Sequence, residues 1–445
     1  MTNTSTIFAP LTVKGKCSVY VIRISGPEVR KCLGVLGIRN KLEHRRATLC
    51  TLRDENGGEL DRALVTYFEA PNSFTGEDVC ELNLHCSTYI INTVFSILNN
   101  LEGVRIAENG EFSKRAFLNN KLDLLQVESI VDLVDADTKL QHEQAMRQLR
   151  GENSLFFEKI RKNILDITSS LEALIDFPED DLDVHLLQSI KTSISDVIAT
   201  IKKALGDNNV GEKVKGGLNI SIMGEPNVGK SSLFNFLAKR DAAIVSDVAG
   251  TTRDILEISV DIGGMIANFF DTAGIRNTDN PIESEGIKRA LARAENSDIK
   301  ILIVSPESLD ITADLKKLID EKTLIVLNKI DLIKNEEFKK IKLLFPNVIG
   351  ISLKERINVD LIIDYIRDYT EKTITPHIGT NLTQERHRTE LTKSLNCLLD
   401  TDFNLPIEII AENVRCAGFC IGKITGLIST DEILDNIFSK FCIGK

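Results

Sequence analysis

Gly224-Glu-Pro-Asn-Val-Gly-Lys-Ser231 is the stretch whose reading decides the fold. The apolar run Leu218 to Met223 precedes it, and Ser232-Leu-Phe-Asn-Phe-Leu-Ala-Lys-Arg240, a helix former, follows it. Strand, GxxxxGK[ST] turn and helix in that order make a phosphate cradle. Backbone N–H groups of Asn227, Val228 and Gly229 and of the helix start at Lys230, Ser231 and Ser232 can hold a β-phosphate. The Lys230 ammonium neutralises β/γ charge, and the Ser231 hydroxyl ligates Mg²⁺.

Three further motifs lie downstream at strand ends. Asp271-Thr272-Ala273-Gly274 places Asp271 to steady the Mg²⁺ shell through water and the Gly274 N–H to sense a γ-phosphate. Asn328-Lys329-Ile330-Asp331 supplies a carboxylate, Asp331, that accepts both guanine N1–H and the exocyclic N2–H₂. Adenine offers no such pair, so the base expected is guanine and the ligand GTP. Ser352-Leu353-Lys354 follows the strand-like Val348 to Ser352 and can aim an N–H at guanine O6, although Leu353 stands where the usual GTPase pattern has Ala. After DTAG comes Ile275 in place of the water-orienting Gln of Ras-like switches, which leaves Asp279, Glu283 and Glu285 as candidates for positioning water, and Arg253 and Arg276 as possible charge stabilisers.

Outward from this core, Met265–Phe270, Ile299–Ser305 and Thr323–Asn328 alternate with helical segments, the βα rhythm of a mostly parallel sheet. Before it, Leu124 to Val131, Phe156 to Leu174 and Leu186 to Leu205 carry apolar residues at 3–4 spacing, predicting three amphipathic helices that bury their stripes against one another. Asn208 to Gly217 reads as a linker by composition. The first hundred residues alternate short β-rich stretches with turns such as Glu55 to Gly58, the texture of a small α+β module. The expectation is therefore a multidomain α/β plus α protein: an α+β module at 1–120, a helical bundle split into 121–214 and 377–445, and an inserted Ras-like P-loop domain with a mostly parallel sheet at 215–376.

The chain has 445 residues, 42% of them apolar, enough for several cores, and its net charge of −11 makes nonspecific adhesion to nucleic acid or anionic membrane an unexpected default. Any RNA contact must come from a local patch. No apolar run approaches the roughly 18 residues of a membrane span, and the first ten residues lack a basic, apolar leader pattern, so a cytoplasmic protein is expected. The nine cysteines (17, 32, 50, 80, 86, 397, 416, 420, 442) are scattered without close CxxC pairs or interleaved His, which disfavours a disulfide framework and a structural zinc site.

With these motifs in place the chain resembles the tRNA-modifying GTPase family MnmE, also called TrmE. The resemblance rests on Arg23–Pro27 (RISGP), Gly76–Leu82 (GEDVCEL), Glu111–Leu124 (EFSKRAFLNNKLDL), Gly224–Asn235, Asp247–Asp254 (DVAGTTRD) and the terminal Cys442-Ile-Gly-Lys445. It implies a potassium-stimulated GTPase. Asn227, Ser246, Val248 and Thr251 would ligate K⁺ within the nucleotide-contacting loop that also includes Asp247, Ala249 and Gly250; Thr252 would join Ser231 on Mg²⁺; and Glu283 would be the water-orienting general base. It further implies a homodimer whose N-terminal module binds 5-formyl- or 5,10-methylene-tetrahydrofolate through Arg23, Glu81, Lys121 and Lys445, with Cys442 as a reactive thiol. The implied partner is an FAD-dependent, MnmG-like flavoprotein in a heterotetramer, and the implied substrate is the wobble uridine of certain tRNAs, which receives a carboxymethylaminomethyl or aminomethyl group at C5 with a tetrahydrofolate one-carbon unit. Two glycine-rich turns of the family are absent: Val13, Lys14, Cys17, Ser18 and Cys86 occupy positions where small flexible residues are expected. A ribosome-assembly GTPase or other RNA-associated switch fits the GTPase motifs equally well but gives Cys442 and folate no role, and a membrane-remodelling GTPase lacks a basic amphipathic helix to support it.

Overall fold

The computed structural model describes residues 5–13, 15, 17–176, 184–239, 243–244, 257–271, 293–309, 311–345, 347–375, 379, 382–428, 434, 437–439, 441 and 444. It divides into two compact units. One comprises residues 1–131, 148–190 and 396–445, the other 132–147 and 191–395.

The N-terminal part of the first unit contains β1 (Thr6–Pro10), β2 (Val19–Ser25), α1 (Val29–Val35), β3 (Ala47–Arg53), β4 (Glu59–Phe68), β5 (Val79–His85), α2 (Thr88–Asn99), β6 (Val104–Ile106) and α3 (Glu111–Leu118). Its six strands form one sheet in the order β3-β4-β5-β2-β1-β6, antiparallel except for the β1–β6 pair. Alternation sets the faces: Tyr20, Ile22 and Ile24 of β2 and Leu82 and Leu84 of β5 are buried against Val94, Ile97 and Leu98 of α2 and Val29 and Leu33 of α1.

The chain continues through α4 (Leu124–Val134), α5 (Lys139–Leu149), α6 (Glu152–Asp176) and α7 (Val184–Leu205). The periodic stripe of α6 (Phe157, Ile160, Ile164, Ile167 and Leu171) is buried, and its closest partner comes from far along the chain. That partner is the late helix Ile407–Thr425, whose Gly418 approaches Ile164 so closely that a Cβ there would lie 3.2 Å from Ile164 Cγ2. The expectation that consecutive helices chiefly bury one another is corrected accordingly, because 3.6-residue periodicity reveals a buried face and not its partner.

In the second unit, Asn208–Gly217 is not a linker: it contains α8 (Val210–Gly216). Val210 and Val214, one turn apart, enter the core, while Gln141 and Gln144 of α5 donate to the carbonyls of Lys215 and Gly211 at 2.9 Å each. Two apolar residues in a single turn are too few to register as a periodic pattern. After α8 come β7 (Leu218–Met223), α9 (Lys230–Ala238), β8 (Ala243–Ile244), β9 (Glu257–Ile262), β10 (Met265–Asp271), β11 (Ile299–Val304), α10 (Ala313–Lys317), β12 (Thr323–Leu327), α11 (Asn335–Leu344), β13 (Ile349–Gly350), α12 (Asp360–Tyr369) and most of α13 (Glu385–Leu399); the end of α13 and α14 (Ile407–Thr425) belong to the first unit. The sheet order is β13-β12-β11-β7-β10-β9-β8; the five strands from β13 to β10 run parallel, and β9 and β8 add an antiparallel edge. β11 is buried at every position, including Lys300, whose ammonium is satisfied by Leu318 O at 3.1 Å and Asp320 Oδ2 at 2.9 Å. No helix of the described residues is long and apolar enough to cross a membrane.

Behind the N-terminal sheet, the buried Arg115 guanidinium bonds Glu111 Oε1 (2.9 Å), Glu77 Oε2 (3.0 Å) and Ser5 O (2.9 Å), and Arg105 holds Glu111 from the other side at 2.6 Å. Burial works against ionising Glu111, but Arg105, the Glu108 N–H and Arg115 outweigh it and hold the carboxyl below the ordinary 4.5. A depressed carboxyl contributes stability above its unfolded pKa and loses it as pH falls through the folded value. Arg115→Leu takes the buried guanidinium from the half-buried Glu77 and leaves Glu111 to Arg105 and the Glu108 N–H, with an expected loss of about 3 kcal/mol. Amide hydrogen exchange should accelerate over Thr6–Leu118 at neutral pH while β11 and β12 stay protected, and Glu111→Gln should flatten the acid-side fall of that protection below pH 4.5. Unchanged exchange in Arg115→Leu would show the network to be dispensable.

Candidate nucleotide-binding site

The P-loop occupies the turn between β7 and α9. Its backbone has left-handed geometry at three positions: Gly224 (φ 147°), Asn227 (φ 65°) and Gly229 (φ 115°). Gly224 lies so close to β11 that a Cβ would run into the Ile303 carbonyl, and a Cβ on Gly229 would run into the Asn328 side-chain amide. Both positions need glycine on two counts, conformation and space. The Lys230 ammonium is buried and folds back onto the carbonyls of Gly224 (2.7 Å) and Glu225 (2.9 Å), spanning the loop. Ser231 and Ser232 are exposed at the start of α9, as is Asn227 in the loop, while Val228 is buried in the core.

The other motifs converge on this loop. Asn328, buried at the end of β12, donates through Nδ2 to Val228 O at 2.8 Å and accepts the Leu353 N–H on Oδ1 at 3.1 Å. One amide thus joins the P-loop, the Asn328–Asp331 turn and the Ser352–Lys354 turn. Leu353 packs towards Gly229, with its Cδ1 3.3 Å from where a Cβ would stand, so the departure from Ala at this position places an apolar side chain against the loop. Lys329 takes a left-handed conformation and pairs with Glu307 at 3.0 Å, and the Ile330 N–H bonds Ile351 O at 3.1 Å. Asp331 is exposed in the following helical turn, Ser352 is buried and accepts the Glu355 N–H, and Lys354 is exposed. Asp271 is buried at the end of β10, where it pairs in register with Ile222. The cradle formed by the two glycines, the loop N–H groups and the buried ammonium fits a polyphosphate. Ser246, Asp247, Val248, Ala249, Gly250, Thr251, Thr252, Thr272, Ala273, Gly274, Asp279, Glu283, Glu285, Arg253 and Arg276 lie outside the described residues.

A second set of residues gathers on the N-terminal sheet. Arg23 and Glu81 stand opposite each other on β2 and β5, bonded at 3.0 and 2.8 Å, with the guanidinium 5.0 Å from the Phe74 ring centre and 5.5 Å from that of Phe112. Lys121 donates to Pro71 O at 2.8 Å and lies beside Gly76, so the Pro71–Gly76 segment touches both Lys121 and Arg23. Gly444 lies against the end of β1: a Cβ there (φ 106°) would run into the Pro10 carbonyl, next in sequence to Ala9, the partner of Arg23 in the β1–β2 pair. Cys442 and Lys445 themselves lie outside the described residues. In place of the two glycine-rich turns, Cys17 and Cys86 meet with sulfurs 2.9 Å apart, beyond the Val19–His85 pair that ends the β2–β5 ladder.

Sequence reasoning missed Asn328 as the junction of three motifs and the ion network behind Arg23. The Glu111–Arg115 spacing of one helical turn was the available indication of the latter.

The family model of the MnmE helical domain matches residues 124–442, and that of the GTP-binding protein TrmE N-terminus matches residues 6–121. Among curated relatives, the tRNA modification GTPase MnmE of Ehrlichia chaffeensis is 42% identical over 443 residues, covering 99% of this chain and 100% of the relative. The proteins of the same name from Wolbachia pipientis (subsp. Culex pipiens) and Rickettsia bellii are each 43% identical, over 449 and 448 residues, covering 100% and 99% of this chain and all of each relative. With two family models on adjoining stretches and relatives aligned from end to end, the chain belongs to the MnmE (TrmE) family of tRNA modification GTPases.

Proposed function

We propose that this protein hydrolyses GTP in the service of tRNA modification in the cytoplasm: as a homodimer, with an FAD-bearing MnmG-like partner in a heterotetramer, it adds a carboxymethylaminomethyl or aminomethyl group to C5 of the wobble uridine of certain tRNAs. The observation that carries the reading is the junction at Asn328, which holds three nucleotide motifs together in a chain aligned throughout with tRNA modification GTPases. The division of labour follows the segments 1–120 for dimerisation and folate, 121–214 with 377–445 for the helical domain, and 215–376 for the nucleotide.

Within that reading, Asn227 to Ser232 hold the phosphates, with Lys230 neutralising charge as it builds on the β–γ bridge. Asp331 accepts from the guanine edge while Ser352, Leu353 and Lys354 close over the base. Asp247, Ala249, Gly250, Thr272, Ala273 and Gly274 complete the nucleotide contacts beside Asp271. Ser231 and Thr252 are assigned to Mg²⁺, and Asn227, Ser246, Val248 and Thr251 to K⁺, an all-oxygen set suited to a hard cation. Bound there, the two cations offset negative charge on the phosphates. Glu283 orients the attacking water and takes its proton. In the N-terminal module, Arg23, Glu81 and Lys121, with Lys445 from the tail, suit a tetrahydrofolate: a carboxylate for the pterin N–H groups, cations for the glutamate tail. Cys442 is the reactive thiol.

Asp331→Asn exchanges an acceptor for a donor at the guanine edge, so GTP affinity should fall at least about 100-fold and xanthosine triphosphate should become the better ligand; a nucleotide titration with unchanged GTP affinity removes Asp331 from the base site. Glu283→Ala should lower the K⁺-stimulated rate about 10²- to 10⁴-fold with little change in nucleotide affinity, and retained turnover in K⁺ over Na⁺ buffer would assign the base elsewhere. Gly444→Ala, strained in φ and blocked by the Pro10 carbonyl, should displace the tail. Together with Cys442→Ser it should abolish C5-modified wobble uridine in nucleoside mass spectrometry of total tRNA while GTP hydrolysis by the purified variants persists; intact modification in both would exclude the C-terminus from the chemistry.

A further inference from the structure

The spacing of the cysteines shows no metal-binding pattern, yet three of them converge in the helical part of the first unit. Cys416 and Cys420 stand one turn apart on α14, so their side chains leave the same helix face. Cys397, near the end of α13, reaches them from the other helix. The three sulfurs lie within 4.8 Å of one another, and Cys397 Sγ is 3.0 Å from Cys416 Sγ. Among the described residues no other group of three Cys, His, Asp or Glu donors gathers in this way. Cys420 is buried, Cys397 half-buried and Cys416 exposed, so the cluster has a protein floor and one open side. Burial first, then the Cys416 thiol and the charges of Cys416, Cys420 and Asp400, push the Cys397 thiol up to about 12. Burial first, and then the crowded sulfurs and a nearby carboxylate, thus keep Cys397 a neutral thiol while no cation is bound.

We propose that Cys397, Cys416 and Cys420 form a binding site for a thiophilic d¹⁰ cation, zinc(II) or copper(I), that clasps the end of α13 to α14. Thiolate sulfur is the donor that selects these ions over hard cations. Zinc–sulfur bonds of about 2.3 Å in a tetrahedron put sulfurs about 3.8 Å apart, a spacing between the 3.0 Å of the Cys397–Cys416 contact and the 4.8 Å within which all three sulfurs lie. Solvent, on the open side at Cys416, fills the fourth position for zinc; copper(I) is satisfied by the three sulfurs. Each thiol that binds gives its proton to solvent, and no sulfur changes oxidation state. The contact of α14 with α6 carries the clasp into the helical core, so the ion should also stiffen that packing.

The test uses the full-length protein, reduced, stripped with chelator and kept anaerobic. It is titrated with zinc(II) and, separately, with copper(I), each against a chromophoric chelator, and with cobalt(II) as a spectroscopic probe. The expected result is one tightly held zinc or copper ion per chain, thiolate-to-cobalt charge-transfer absorption, and a higher thermal midpoint with the ion than without it. Cys416→Ser, on the exposed face, should weaken uptake by about 100-fold or more and remove the charge-transfer band, whereas Cys17→Ser, at the separate two-sulfur contact, should change neither. Uptake of zinc alone or of copper alone supports the site and names its ion. Uptake of neither against the chelators, or equal uptake by Cys416→Ser, overturns it.

Discussion

The side-chain amide of Asn328 is the tie on which the nucleotide site depends. It is 100 residues from Val228 in sequence and 25 from Leu353, yet it donates to one and accepts from the other. A buried amide left with neither partner costs about 1–3 kcal/mol per lost bond, so the three loops are held in one mutual arrangement or none. The same amide sets the requirement at Gly229, where any Cβ would displace it. Ordering of the phosphate loop is thereby coupled to ordering of the turns that carry Asp331 and Leu353.

A comparable logic governs the N-terminal module with charges in place of amides. Arg23 and Glu81 face each other across β2 and β5, and the aromatic rings of Phe74 and Phe112 lie against the guanidinium. Behind them Ser25 bonds both Thr75 and Glu77, and Glu77 shares Arg115 with Glu111. The segment that carries Phe74 and Thr75 is therefore pinned by a buried ion network at one end and by Asn119 Nδ2 on Thr75 O, 2.7 Å, at the other. Side chains fixed in this way would lose little conformational entropy to a ligand of the kind proposed for this module.

Much of this was legible in the amino-acid sequence, and the parts that were not share a physical reason. The strand–turn–helix around Gly224–Ser231 and the parallel strands Leu218–Met223 and Ile299–Val304 were readable because phosphate loops and doubly buried strands leave dense local patterns. The α8 turn was missed because Val210 and Val214 are its whole apolar content, and Gly211 and Gly216 weaken its composition further. The partner of α6 was missed because a buried stripe is a local property and its complement, at Ile410, Val414 and Ala417, lies some 250 residues on. Leu353 read as a departure from pattern; in the fold it lies against the phosphate-loop glycine.

The cysteines make the same point from the other direction. Spacing spoke against a structural zinc site because local pairs such as CxxC are what spacing can report. Cys416 and Cys420 are instead separated by one helical turn, a spacing that suits a buried helix face as well as a ligand pair, and the decision rests with Cys397, 19 residues upstream on another helix. Gly444 works through the same long-range placement: at the penultimate position of the chain, its missing side chain lets the backbone approach the Pro10 carbonyl at the end of β1. In both cases the informative quantity is a meeting between helices or chain ends that no window of sequence contains. The chemistry available to this protein is therefore set by residue type locally and by tertiary closure globally, and only the first of these can be read before the fold is known.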